Sequence, residues 1–199
     1  MKAITIRQPW AQLIIDGRKD IENRTWATRY RGQVLIHAAV SNHSDVRTAA
    51  DCEFWMTKKG LGRPPAIKPA QRGAVLGVAR LVYCVSSSSS PWFIGPHGLV
   101  LADVLKFETP IPMKGSLSLW EPSEAQRLLV EDAISLALFE RGRQARIAAG
   151  EETACRGCGC SESRACFGGC AWHSDGWCTA CQKKAELQEL YKAVHGGRS

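Results

Sequence analysis

The sequence predicts an α+β protein, in which a small strand-rich body with flanking helices is followed by a compact cysteine-rich module. Three observations predict it. Residues 4–38 read as one strand–helix–loop–strand unit. Residues 73–85 and 100–108 have the composition of strands, while residues 45–59 and 124–149 carry apolar positions at helical spacing. Seven of the nine cysteines lie between Cys155 and Cys181.

Ala3, Ile4 and Ile6 open the chain as a short strand. Pro9 suits the first turn of a helix, where its missing N–H would lack a partner anyway. Trp10, Leu13 and Ile14 give that helix an apolar face, and Gly17 stops it. Arg31–Gly32 forms a turn, and Val34 to Ile36 a buried strand ending in His37. A helix then runs from Asp45 to about Lys59, capped by Ser44, with Val46, Ala49, Ala50, Phe54 and Trp55 near one face. Residues 60–71, GLGRPPAIKPAQ, hold too much Gly and Pro for regular structure and form a long loop bearing Arg63 and Lys68. The strand over 73–85 offers Val75, Leu76, Val78, Leu81, Val82 and Val85 to the core. Five serines and the segment Pro91 to Pro96 form a loop. Its Trp92 and Phe93 either plug one end of the strand-rich body or offer a ring on which a base stacks. Residues 100–108 make one or two strands, and 117–120 a last one. Ser123 with Gln126 is a capping-box pattern for a helix over 124–149, whose core stripe is Leu128, Leu129, Ala133, Leu136 and Phe139.

Four blocks in the first unit, QPWA, GRKDIENRTW, YRG and LIHAA, resemble in order and spacing the signature of the ASCH domain, a branch of the PUA-like superfamily. RGAVLGVARLVYCV, SPWFIGPHG and KGSLSLW resemble that family's following strands. The resemblance covers roughly residues 2–122. It implies a small, mostly β, partly open barrel with a cleft. It also implies RNA or DNA binding, in some relatives with a single base seated, and in a few a hydrolase acting on acylated nucleosides or on RNA. The expected organisation is therefore an ASCH domain over 1–122, a connecting helix over 123–150 and a cysteine-rich module over 151–199.

The net charge is +7. Residues 1–80 hold 14 Lys and Arg against 6 Asp and Glu, so the positive excess sits with the first unit. A basic face of this kind points to a polyanion, nucleic acid first; the alternative is a solvated basic surface. No apolar run is long enough for a transmembrane helix, which predicts no membrane partner. The N-terminus lacks a secretory pattern, so a cytoplasmic setting is expected.

The residues of the first unit that carry chemistry are Arg7, Gln8, Trp10, Lys19, Glu22, Asn23, Arg24, Trp26 and Arg31. With Trp92 they form a candidate nucleic-acid site. Arg7, Lys19 and Arg24 supply cations for phosphates, and Trp26 and Trp92 aromatic faces for a base. Gln8, Glu22 and Asn23 supply polar groups for a base edge. Such a cleft would take one nucleotide, ordinary or modified. The alternative is a hydrolase in which Lys19 acts as base or nucleophile and Glu22 orients it or shuttles a proton. The family's acylcytidine amidohydrolases pair a lysine with a threonine three residues later; here Glu22 stands in the threonine's place. The plain alternative is a Lys19–Glu22–Arg24 ion-pair cluster that shapes the cleft. His37 is either catalytic or a hydrogen-bonded core residue.

The two CxxC pairs, Cys155 with Cys158 and Cys178 with Cys181, offer the four thiolates of a tetrahedral zinc site. Cys160, Cys166, Cys170 and His173 form a second site or are packed small residues. The Gly-rich stretch between the pairs is too short for a sizeable core, so the metal must drive its folding. The module could also engage a protein partner. Residues 182–194 read as a closing helix.

Overall fold

The computed structural model describes residues 1–40 and 43–150, together with Cys155 and Cys160; of residues 43–47 it describes the backbone. The chain divides into two units, Met1–Leu138 and Phe139–Ser199. The first contains β1 (Lys2–Ile6), α1 (Trp10–Ile15), β2 (Ile21–Arg24), β3 (Gly32–Ala38), α2 (His43–Lys58), a 3-10 turn (Pro69–Gln71), β4 (Ala74–Val85), β5 (His97–Pro112) and β6 (Leu119–Trp120). Helix α3 (Glu124–Ala148) begins in the first unit and ends in the second.

The six strands form one sheet in the order β2-β5-β4-β3-β1-β6. β1 and β3 are parallel and every other pair is antiparallel. The register of β4 slips three times against β5 and that of β3 once against β4, irregularities that bend and twist a sheet. The sheet is curled into a half-barrel. In a flat sheet, four steps of about 4.8 Å would put β2 about 19 Å from β1. Yet Arg24 of β2 donates from Nη2 to the carbonyl of Thr5 in β1 at 2.7 Å. The architecture is thus α+β with a curled six-stranded sheet and flanking helices.

Alternation along the strands divides the core between the two faces of the sheet. Ile4, Ile6, Val34 and Ile36 pack with Ala11, Ile14 and Ile15 of α1, Leu76, Leu81 and Leu99. Ala3 and Leu35 pack on the other face with Val75, Val78, Leu105, Phe107 and two residues of α3, Val130 and Ala137. A third cluster joins Leu13 and Ile21 to Cys52 and Met56 of α2 and to Trp92. Gly77 lets these layers close. A Cβ there would stand 2.3 Å from the Leu105 carbonyl oxygen and 2.9 Å from Ile15 Cδ1.

Two helices are rotated relative to the expectation. In α2 the buried residues are Thr48, Cys52 and Met56, with Trp55 beside them, whereas Ala49, Ala50 and Phe54 are exposed. In α3 the inward stripe is Val130, Ala133, Ile134 and Ala137, and Leu128, Leu129, Leu136 and Phe139 are exposed. Both stripes of α3 have helical spacing. The observed one carries alanines, whose small side chains let a helix lie close on a sheet. The capping box at its start is formed: Ser123 N–H donates to Gln126 Oε1 at 2.8 Å, and Gln126 N–H to Ser123 Oγ at 3.3 Å.

Candidate functional site

The site is set by how α1 ends. Gly17 takes φ +70°, which costs glycine little. Gly17 N–H bonds the Ile14 carbonyl at 3.0 Å and Arg18 N–H the Leu13 carbonyl at 2.9 Å, the two bonds of a Schellman cap. Lys19 N–H bonds the same Leu13 carbonyl at 3.0 Å. This turn drives Lys19 inward, to 4 % exposure. Its Nζ donates to the Ile21 carbonyl and, at 2.7 Å, to Glu22 Oε2. Glu22 in turn lies 3.3 Å through Oε1 from Arg24 Nη2. Two cations therefore flank one buried carboxylate. Glu22 and Arg24 alternate with Ile21 and Asn23 along β2, so the pair shares one face of that strand.

Aromatic rings border this cluster. The Trp10 ring lies 6.0 Å from Lys19 Nζ, and the Trp26 ring 6.0 Å from the Arg24 guanidinium carbon. Both rings are half-buried. Arg24 Nε is buried and has no partner among the described residues. Arg7, two residues beyond the carbonyl that Arg24 holds, is exposed.

Other expected site residues have structural partners. Gln8 is 1 % exposed; its Nε2 donates to the Gln71 carbonyl at 2.8 Å and its Oε1 accepts from Gln12 N–H at 3.1 Å. Asn23 holds the 90s loop, donating to the Trp92 carbonyl at 2.8 Å and accepting from Ile94 and Gly95 N–H at 2.9 and 3.3 Å. Trp92 is 4 % exposed, donates from Nε1 to the Arg18 carbonyl at 2.8 Å and meets Trp10 edge to face at 6.2 Å. It plugs the core rather than presenting a stacking face. Arg31 donates to the carbonyls of Thr28 and Tyr30 at 3.1 and 2.7 Å, on the exposed turn before β3. The structure thus gathers Trp10, Lys19, Glu22, Arg24 and Trp26, and assigns Gln8, Asn23 and Trp92 to the scaffold.

His37 belongs to the core. It is 1 % exposed, and its Nε2 bonds the Met113 carbonyl at 2.8 Å. A carbonyl only accepts, so Nε2 carries the proton and Nδ1 is left with a lone pair. Nδ1 has no partner among the described residues and faces Gly115, where a Cβ would stand 2.6 Å away. Burial pushes the His37 pKa down from 6.5, more than the Met113 bond raises it. Cys52, buried among apolar neighbours, has its thiol pushed up to about 11.

Sequence reasoning missed Arg18 and Gln71. Arg18 Nη2 donates to the carbonyls of Leu61 and Arg63 at 3.0 and 2.8 Å. Gln71 Nε2 donates to Gln12 Oε1 at 2.7 Å. Only the third dimension brings these partners together, because more than forty residues separate them.

Of the expected metal ligands, Cys155 and Cys160 are described; both are buried, and Cys155 N–H donates to the Cys160 carbonyl at 2.7 Å. Cys158, Cys166, Cys170, His173, Cys178 and Cys181 lie outside the described residues. Among the described residues no helix is long and apolar enough to cross a membrane.

The profile of the ASCH domain matches residues 4–128. Human activating signal cointegrator 1 is 25 % identical over 128 residues, spanning 59 % of this chain and 22 % of that protein. The chain thus spans about a fifth of the length of the curated relative it matches. The crystal structure of ASCH from Zymomonas mobilis is similar with a TM-score of 0.40 at 17 % identity, covering 65 % of this chain and 93 % of that one. The match over residues 4–128 takes in the curled sheet and the Lys19–Glu22–Arg24 cluster, and the chain belongs to the ASCH domain family.

Proposed function

We propose that this ASCH domain binds nucleic acid and that Trp10, Lys19, Glu22, Arg24 and Trp26 line a recess that seats one nucleotide. The observation that carries this is the pairing of a buried carboxylate flanked by two cations with two half-buried rings. The rings offer faces to a base, the cations favour the anion attached to it, and Arg24 Nε is a donor still without a partner. Lys19 does not need to react in this reading. Its Nζ donates two hydrogen bonds within the chain, an arrangement better suited to holding Glu22 in place than to accepting a proton. Calorimetric titration with nucleosides, mononucleotides and short RNA and DNA strands at low salt is the test. Trp26→Ala should weaken binding by about tenfold, the order expected for one lost stacking contact. Failure of every nucleic-acid ligand to bind would refute the proposal. Turnover of acylated cytidine or RNA, abolished by Lys19→Arg, would replace it with the hydrolase.

The cysteine-rich segment is proposed to hold zinc through Cys155, Cys158, Cys178 and Cys181. Two CxxC pairs and thiol donors suit that ion. Elemental analysis should find one zinc per chain; a ratio near two would bring in Cys160, Cys166, Cys170 and His173, and no metal would refute the proposal.

A further inference from the structure

Residues 54–102 contain six Lys and Arg and no Asp or Glu. Four of the cations, Lys59, Arg63, Lys68 and Arg72, fall in the segment between α2 and β4. That segment is tied down at both ends. It leaves α2 through a second Schellman cap, with Gly60 at φ +66°, Gly60 N–H on the Thr57 carbonyl at 3.2 Å and Leu61 N–H on the Met56 carbonyl at 2.9 Å. Arg18, just beyond the C-terminal end of α1, then grips the carbonyls of Leu61 and Arg63. At the other end Gln8, just before α1, holds the Gln71 carbonyl, and Gln12 within α1 holds the Gln71 side chain. Lys68 N–H closes the last turn on Gln71 Oε1 at 2.8 Å. Residues 61–71 therefore run alongside α1 from its C-terminal to its N-terminal end. Their backbone is anchored at Leu61, Arg63, Lys68 and Gln71, while the Arg63 and Lys68 side chains are exposed. Leu61, at the start of this segment, packs against the same apolar cluster as Trp10 of the proposed recess.

We infer that residues 61–72 form a rail for the phosphodiester backbone of a single strand, with Arg63 and Lys68 contacting phosphates flanking the nucleotide in the recess. This rests on the proposed nucleotide site and extends it from one residue of the ligand to several. A segment of one charge sign, anchored near a recess, favours a polyanion whose charges continue outward from that recess. It also avoids the ordering cost a loose loop would incur on binding.

The test compares the parent with the double variant Arg63→Gln/Lys68→Gln. Both side chains are exposed and their backbones are held by other groups, so the fold should persist. The ligands are a mononucleotide and a 12-nucleotide single strand, titrated over a range of salt. Mononucleotide affinity should stay unchanged. Strand affinity should fall about 10- to 30-fold near 0.1 M salt, and the log–log salt slope should become shallower by about 1.4, or 0.7 for each lost phosphate contact. An unchanged slope and affinity for the strand would overturn the rail while leaving the recess standing. Parent protein that binds the strand, with the expected loss in the variant, but not the mononucleotide would overturn the recess and keep the rail. Binding of neither ligand would overturn both. Displacement of the strand by polyglutamate at equal charge concentration would overturn the rail in favour of an acidic protein.

Discussion

Lys19→Met removes one side of a buried ion pair with little change in volume. The parent holds Lys19 at 4 % and Glu22 at 9 % exposure, 2.7 Å apart. Removing the lysine leaves Glu22 Oε2 and the Ile21 carbonyl without their donor. Breaking a buried pair from one side costs about 3–5 kcal/mol, because a desolvated charge loses its compensation. Arg24 still faces Oε1 at 3.3 Å, so the lower end applies, about 3 kcal/mol. With a urea slope of about 2 kcal/mol/M, the unfolding midpoint should fall by about 1.5 M. The companion variant Lys19→Met/Glu22→Leu removes the stranded charge as well. It should recover more than half of the loss, since well-packed apolar replacements of buried pairs are often neutral. Urea unfolding followed by tryptophan fluorescence reads both, with Trp10 and Trp92 lying in the same part of the core. A single variant within about 0.5 kcal/mol of the parent, or a double variant no better than the single, would refute the description of Lys19 and Glu22 as a buried, mutually compensating ion pair.

Gly77→Ala should destabilise by about 1–3 kcal/mol or more, because the added methyl meets the Leu105 carbonyl at 2.3 Å and backbone there cannot swing aside. Gly17→Ala, with nothing within 4 Å but φ +70°, should cost about 1 kcal/mol from backbone strain alone, and equal losses at the two sites in thermal melts would contradict the packing described. His37 predicts an acid-side loss. Its folded pKa lies below 6.5, so the unfolded chain takes up the proton first; the contribution is whole above 6.5 and declines as pH falls toward the folded value, by at most about 1.4 kcal/mol per pH unit. Stability measured from pH 7.5 to 5 should fall less steeply in His37→Asn than in the parent, and parallel curves would show that His37 does not titrate with unfolding.

What could be read from the sequence divides along physical lines. Gly17 and the Ser123–Gln126 pair marked helix ends correctly, because caps are local chemistry. Ile4, Ile6, Val34 and Ile36 announced buried strands through their apolar run. The phase of α2 and α3 was not legible: spacing fixes a period, and only the neighbouring sheet selects Val130 and Ala137 over Leu128 and Leu136. At the site, the nearness of Lys19, Glu22 and Arg24 was visible as spacing along the chain. Their burial was not, since it follows from the Leu13 carbonyl drawing Lys19 under α1. Gln8 and Asn23 looked like readers of a ligand because their bonds go to residues more than sixty positions away.

The short strands at the two margins of the sheet have a consequence for assembly. β6 has two residues and β2 four, so neither presents a long row of unpaired amides to a strand from another chain. β5 runs on beyond β2 for a dozen residues, but this stretch is broken by Asp103 at φ +50° and carries Pro110 and Pro112, which have no N–H to donate. An incoming strand would find a template with gaps and a bend. Strand addition, a common way for extended peptides to dock on β proteins, is therefore disfavoured on this sheet. Partners of the domain should approach through side chains and loops, and swapping or fibril growth through the sheet margins should be rare even at high concentration.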